Sequence, residues 1–97
     1  MKRIEINDTG IFHEEPGYVG WFTREQAAGA WENGTTVEKI RKDPTDDHAI
    51  GERAIILGSI RNPAEPGLGI MYFVEWDRTP GYAVACIDWK LDRIVKR

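Results

Sequence analysis

The sequence predicts a mainly β fold in one domain, and three observations predict it. Runs of β-branched, aliphatic and aromatic residues of strand length recur over residues 35–40, 51–60, 70–76 and 82–89. Glycine, proline and aspartate clusters punctuate them, as at Lys42-Asp43-Pro44-Thr45-Asp46-Asp47-His48 and Asp77-Arg78-Thr79-Pro80-Gly81. Finally, 97 residues with 41% hydrophobic content, ten glycines and one cysteine suffice for one modest core and not for two.

Along the chain, Ile4 and Ile6 alternate with Arg3 and Glu5, which predicts a short strand over residues 2–6, ended by Asn7-Asp8-Thr9-Gly10. Residues 12–20 contain Pro16 and two glycines without a period and read as a loop, with Tyr18, Trp21 and Phe22 folded back onto the core. Thr23 and Gln26 have capping-box spacing, and Phe22 and Ala27 stand where a hydrophobic staple forms. With Ala27, Ala28, Ala30 and Trp31 following, they predict a short helix over residues 24–33 that Asn33-Gly34 ends.

Thr35 to Ile40 reads as the next strand, followed by the acidic loop around Asp43 to His48. Ala54-Ile55-Ile56-Leu57 forms the centre of a strand buried on both faces. Residues 61–69 make a Pro/Gly-rich connection. Residues 70–76 and 82–89 then form a hairpin through the Asp77 to Gly81 turn. Leu91, Ile94 and Val95 have the spacing of a single closing turn over one end of the core.

From Gly34 to Ile94 the order is glycine, strand, long acidic loop, glycine, buried strand, variable loop, aromatic strand, tight turn, strand and closing leucine. This resembles the small SH3-like β-barrels common in bacterial proteins. Gly51 to Gly58 is similar to a G-x-x-[GA]-x-V-x-G type of pattern, with Ala54 where a second glycine is often found, and Tyr72 to Asp77 is similar to Y-x-V-x-W-D, the resemblance covering about 60 of the 97 residues. The resemblance implies a barrel of about five strands over residues 34–97, with residues 1–33 as an extension that carries the helix and covers an open edge. It further implies a binding or accessory module whose ligands are gripped between the long loop and its neighbours. Fold analogy raises that expectation without assigning an activity.

Composition narrows the partners. Thirteen basic against sixteen acidic residues give a net charge of −3, which disfavours nucleic acid and anionic lipid. The charge is uneven. Residues 1–50 hold six basic and ten acidic side chains (6 − 10 = −4), and residues 51–97 hold seven and six (7 − 6 = +1). No apolar run approaches the roughly 20 residues of a membrane helix, Met1 to Glu5 is no signal sequence, and a single Cys86 excludes an internal disulfide framework. A cytoplasmic protein without membrane attachment is the expectation.

Among residues that carry chemistry, Asp43, Asp46, Asp47 and His48 offer oxygens to a hard cation or a basic peptide. The plainer reading is a solvated turn, because His48 occupies the position where an EF-hand loop requires glycine. His13-Glu14-Glu15 adds an imidazole beside carboxylates, but without the spacing of a zinc site. Cys86, His48 and Asp46 can be written as a triad, yet Cys86 sits in the apolar run Ala83 to Ile87, where a thiol is a small core hydrophobe. Arg61-x-Pro63-x-x-Pro66 reads as a strand connection, and Gly67-Leu68-Gly69 lacks the glycines and helix of a phosphate loop. Tyr72, Phe73, Trp76, Tyr82 and Trp89 are the aromatic set of the last strands: one row fills the core, and the other is either a binding surface or covered by the helix carrying Trp31, since a small barrel cannot bury all ten aromatics of the chain.

The expected function is therefore a non-enzymatic protein- or peptide-binding module, with no cofactor and no metal. Its binding residues are expected among Asp43, Asp46, Asp47, His48, Trp76, Tyr82 and Trp89. The alternative is a structural or homo-oligomerising subunit of a larger complex. A metal-binding protein or small enzyme ranks below both.

Overall fold

A computed structural model describes residues 10–15, 18–61 and 69–94, with side chains from Phe22 onward. The chain is mainly β. A two-stranded hairpin, β1 (Gly10–Glu15) and β2 (Tyr18–Phe22), precedes a five-stranded antiparallel sheet. That sheet comprises β3 (Thr36–Lys39), β4 (Arg53–Arg61), β5 (Ile70–Trp76), β6 (Val84–Ile87) and β7 (Leu91–Arg93). Its order is β6-β5-β4-β3-β7, so consecutive strands meander until the last one returns to pair with the first of the sheet. A 3-10 turn, Asp88–Lys90, reverses the chain between β6 and β7.

The hairpin corrects the loop expected over residues 12–20. The signal was local: Pro16-Gly17 is a turn dipeptide between two runs that can extend. The strand expected over residues 2–6 lies outside the described residues, as does Val95. Leu91 begins a strand instead of belonging to a helical turn, because β3 offers a free edge for it to pair with.

The buried residues form two clusters. The larger contains Val37, Ala54, Ile56, Tyr72, Val74, Trp76, Cys86 and Leu91, and the smaller contains Phe22, Leu57, Phe73 and Ala83. Period two along β5 sends Tyr72, Val74 and Trp76 to one cluster and Phe73 to the other. Both rows of the aromatic strand are thus covered, which removes the reading of an outward binding row on this strand and leaves that of a covered one. Phe22, at the end of β2, provides part of the second cover.

In β4 the register shifts between Ile56, opposite Val74, and Gly58, opposite Phe73, which leaves Leu57 as an extra residue. Adjacent strand residues face opposite sides in any case; the bulge shifts that alternation by one, so that Leu57 and Ile60, three positions apart, meet the same cluster, and it sharpens the twist. Ile56 joins the first cluster and Leu57 the second. Edge strands β6 and β7 both send residues, Cys86 and Leu91, into the larger cluster. No ladder joins β6 to β7 among the described residues, so the sheet is open where a closed barrel was expected.

No helix forms over residues 24–33, although the capping residues suggested one. Tertiary partners take backbone donors and a carbonyl that a helix would have used. Ser59 Oγ accepts from Ala27 N at 3.0 Å, Tyr72 Oη accepts from Trp31 N at 2.9 Å, and Glu25 O accepts from Ser59 N at 2.8 Å. Asn33 closes the segment locally, its Nδ2 donating to Arg24 O and its N–H to Gln26 Oε1. Two and a half turns of helix are marginal alone, so these fixed partners prevail. Gly58 makes the arrangement possible, since a Cβ there would stand 1.7 Å from Thr23 O. Residues 23–34 therefore lie as a strap against β4 and β5, with the Trp31 ring stacked on Tyr72 at 5.3 Å.

Candidate functional site

Residues 40–52 connect β3 to β4 and contain the acidic run. Locally the run is a turn around Pro44: Asp46 N donates to Asp43 O at 3.0 Å, and Asp43 N donates to Asp46 Oδ2 at 2.9 Å. Its aspartates are not a free acidic cluster. Lys90, 44 positions away, donates to both oxygens of Asp46 at 3.1 and 2.9 Å and pairs with Asp43 at 2.9 Å. Lys39 reaches Asp46 at 3.1 Å. Hydrogen bonding from Lys90 is the largest of several causes holding the Asp46 carboxyl far below the usual carboxylate range, and the same pair raises Lys90. Two carboxylates and two ammoniums cancel, which removes the motive for a cation to bind there.

Lys39 is itself buried. Taking an ammonium out of water is unfavourable unless it is paired, and Lys39 has the Asp46 carboxylate and the face of Trp76, 5.4 Å from its Nζ. His48 is also buried. Its ring stacks on Trp76 with centroids 4.6 Å apart and planes 14° apart, and its Nε2 meets Thr79 Oγ1 at 3.1 Å. Desolvation is the main force lowering its pKa, so the imidazole is neutral near pH 7. Arg78 completes the latch by donating to Glu52 Oε1 at 2.8 Å and to the Asp47 carbonyl at 2.7 Å.

Between this loop and β6 lies a cavity of about 430 Å³, with Lys39, Asp46, His48, Trp76, Cys86 and Lys90 in its wall. A smaller one of about 150 Å³, bounded by Asp47, His48, Thr79, Tyr82 and Val84, lies beside it. Trp76 is almost wholly buried and forms wall, not surface, and its Nε1–H has no acceptor. Tyr82 is half-buried. Among the described side chains Trp89 is the outward aromatic, 48% exposed, with Lys90 Nζ 5.5 Å from its ring and Arg41 donating to its carbonyl at 2.7 Å. Ile50, 64% exposed, is a second apolar group on the loop surface.

All seven sequence-selected residues thus lie in or beside one region, in different roles. Asp43 and Asp46 are structural ion partners, His48 and Trp76 are a buried stack, and Asp47, Tyr82 and Trp89 border open space. Lys39, Lys90 and Thr79 were missed: Thr79 and Lys90 have partners 31 and 44 positions away that no sequence spacing announces, and Lys39, seven positions from Asp46, reads as an ordinary strand residue. Cys86, His48 and Asp46 share the larger cavity, yet no hydrogen bond links them, and burial pushes the Cys86 thiol up, away from its nucleophilic form. Among the described residues no three His, Cys, Asp or Glu side chains are placed to hold a metal ion. The side chains of His13, Glu14 and Glu15 lie outside those described.

Compared with protein-family models, with curated proteins and with solved structures, the chain matches none. Among the described residues no helix is long and apolar enough to cross a membrane.

Proposed function

We propose that this chain is a non-enzymatic binding module of SH3-like type that recognises a protein or peptide on the surface made by residues 40–52, the 3-10 turn and β6. The observation that carries the reading is the position of Trp89. An exposed tryptophan beside a rigid polar rim is the commonest kind of binding anchor. Trp89 has such a rim in Arg41 and in Lys90, which Asp43 and Asp46 immobilise. The SH3-like assignment draws support from the strand order, because a last strand that returns to the first curls a five-stranded sheet toward closure. Cys86 and Leu91, from opposite edges, also share one core.

Selection of displayed random peptides on the native protein tests the function. Sequences that bind the wild type and lose about tenfold or more on Trp89→Ala are expected, as for an interface anchor. Selections that recover nothing preferring the wild type over Trp89→Ala would remove this reading. A second reading, a homo-oligomerising subunit, draws on the open edges of β6 and β7. It requires sedimentation to show association that grows with protein concentration.

A further inference from the structure

The residues that leave β3 run alongside the 3-10 turn that carries Trp89. Ile40 N donates to Lys90 O at 2.8 Å, and Arg41 Nη1 donates to Trp89 O at 2.7 Å. Arg41 and Lys42 are thereby placed beside the turn, and both are exposed. The charges around the turn are unevenly matched. Lys39 and Lys90 are held by Asp46 and Asp43. Asp88, next to Trp89, is engaged by the backbone of β5, its Oδ2 accepting from Ile70 N at 3.1 Å, and Asp92 Oδ1 accepts from Arg93 N at 2.8 Å. Arg41 and Lys42 instead donate to carbonyl oxygens, those of Trp89 and Asp43, and among the described residues no carboxylate lies within ion-pair distance of either.

A carbonyl oxygen cancels no charge, so two cations stand uncompensated beside the exposed Trp89 ring. With Nη1 on the Trp89 carbonyl, the Nε and Nη2 donors of Arg41 have no partner among the described residues, which leaves them for a carboxylate that accepts two parallel hydrogen bonds. The positive strip is short. Asp43 follows Lys42 directly, Asp47 lies further along the same loop, and both are exposed. A nucleic-acid strand long enough to run along the loop would meet these carboxylates, and the net charge of −3 opposes it as well. One or two carboxylates on a peptide would meet only Arg41 and Lys42.

We propose that the Trp89 surface binds an acidic peptide segment. An apolar or aromatic side chain of the segment packs on the exposed part of the Trp89 ring, and a neighbouring aspartate or glutamate pairs with Arg41 and Lys42. This rests on the binding-module reading and specifies its ligand. Exposure sets the division of labour. An exposed ion pair adds little affinity by itself, so the Trp89 contact holds the peptide, while the two cations choose it and speed its approach.

The displayed peptides that bind the wild type and are lost on Trp89→Ala supply the probes. They are expected to be enriched in aspartate and glutamate over the unselected library. Each is synthesised twice, as selected and with its acidic residues changed to the amides, and titrated into wild type, Arg41→Gln/Lys42→Gln and Lys42→Glu. On wild type the acidic version should bind about fivefold or more tighter at low salt, and that preference should fade as salt rises from about 0.05 to about 0.5 M. The preference should vanish in Arg41→Gln/Lys42→Gln and shrink in Lys42→Glu, which leaves the Arg41 bond to the turn in place. Trp89-dependent peptides without an acidic excess, or a preference that survives in both variants, overturn the proposal while the binding-module reading stands. An excess of lysine and arginine in those peptides does the same and assigns the choice to Asp43 and Asp47. A single-stranded oligothymidylate that displaces the peptides from the wild type and fails to bind Trp89→Ala assigns the surface to nucleic acid and overturns the proposal. If no displayed peptide needs Trp89, both readings fall.

Discussion

Two long connections flank β3, and they are held by different chemistry. The strap before it, residues 23–34, is tied by neutral hydrogen bonds to Ser59 and Tyr72 and by a backbone approach that only Gly58 permits. The loop after it, residues 40–52, is tied by the Lys39, Asp46, Lys90 and Asp43 ion pairs, by the Arg78 to Glu52 pair, and by a buried imidazole. The lesson is that the strap is part of the core and the loop is a latch. Tyr72 and Arg61, which donates to Ala28 O at 3.1 Å, are the ionisable groups in the strap's anchor contacts, and burial pushes the Tyr72 phenol above its usual value. The strap should therefore respond to pH and salt less than the loop does.

The largest effect belongs to the strap. Gly58→Ala would place a methyl group on Thr23 O and 3.1 Å from Glu25 O, so the strap must lift, with a loss of about 3 kcal/mol or more in denaturant unfolding. A loss under about 1 kcal/mol would mean that the strap is not tightly seated. Next, Tyr72→Phe and Ser59→Ala each strip the acceptor from a part-buried N–H and should lose about 1 to 2 kcal/mol, unchanged by salt.

The loop should lose less, and conditionally. Asp46→Asn is expected to destabilise by a smaller amount that shrinks as salt is added, because the side chain is one-fifth exposed and its partners are charged. A depressed carboxyl contributes stability that is complete above the unfolded carboxylate pKa near about 4. That contribution is lost as pH falls toward the folded value, so wild type and Asp46→Asn should converge in strong acid. His48 works from the other side of the range. Its folded pKa lies below its unfolded value, so the unfolded or opened form takes up the proton first. Loop opening, read from hydrogen exchange at Ala49 and Glu52, should rise from about pH 7 to pH 5, with the strap amides unmoved. His48→Phe should flatten that rise. Acid sensitivity that persisted in His48→Phe would assign the latch to other groups. The smallest expected effect on stability is that of Trp89→Ala, within about 0.5 kcal/mol for an exposed side chain, even though the same change is expected to weaken binding about tenfold or more.

Much of the sheet was legible in the chain. Residues 54–57 and 70–76 are strands because their aliphatic and aromatic runs have strand length and glycine-rich or polar boundaries. The Asp77 to Gly81 turn was readable from its residues, and it is held by Gly81 N donating to the buried Glu75 carboxylate at 2.8 Å. The acidic loop was found as a loop, with its composition read as a charge available to partners. That reading failed for Asp43 and Asp46 because their counter-ions come from β3 and the 3-10 turn, and nothing local to the loop reveals them.

By itself the sequence determined what depends on neighbours in the chain: the mainly β character, where strands start and stop, the burial of Cys86, and the region in which the candidate residues gather. Tertiary structure decided whatever depends on competition between near and distant partners. The capping residues of the 24–33 segment would have satisfied a helix, but Ser59 and Tyr72 offered its donors fixed, part-buried acceptors, and a short helix has too little cooperative stability to refuse them. Tertiary structure also turned an aromatic surplus into two covered faces, since alternation along β5 sends Tyr72 and Trp76 to one cluster and Phe73 to the other, and Phe22 returns to cover the second. Among the described side chains it left Trp89 as the aromatic that points outward, beside the latched loop.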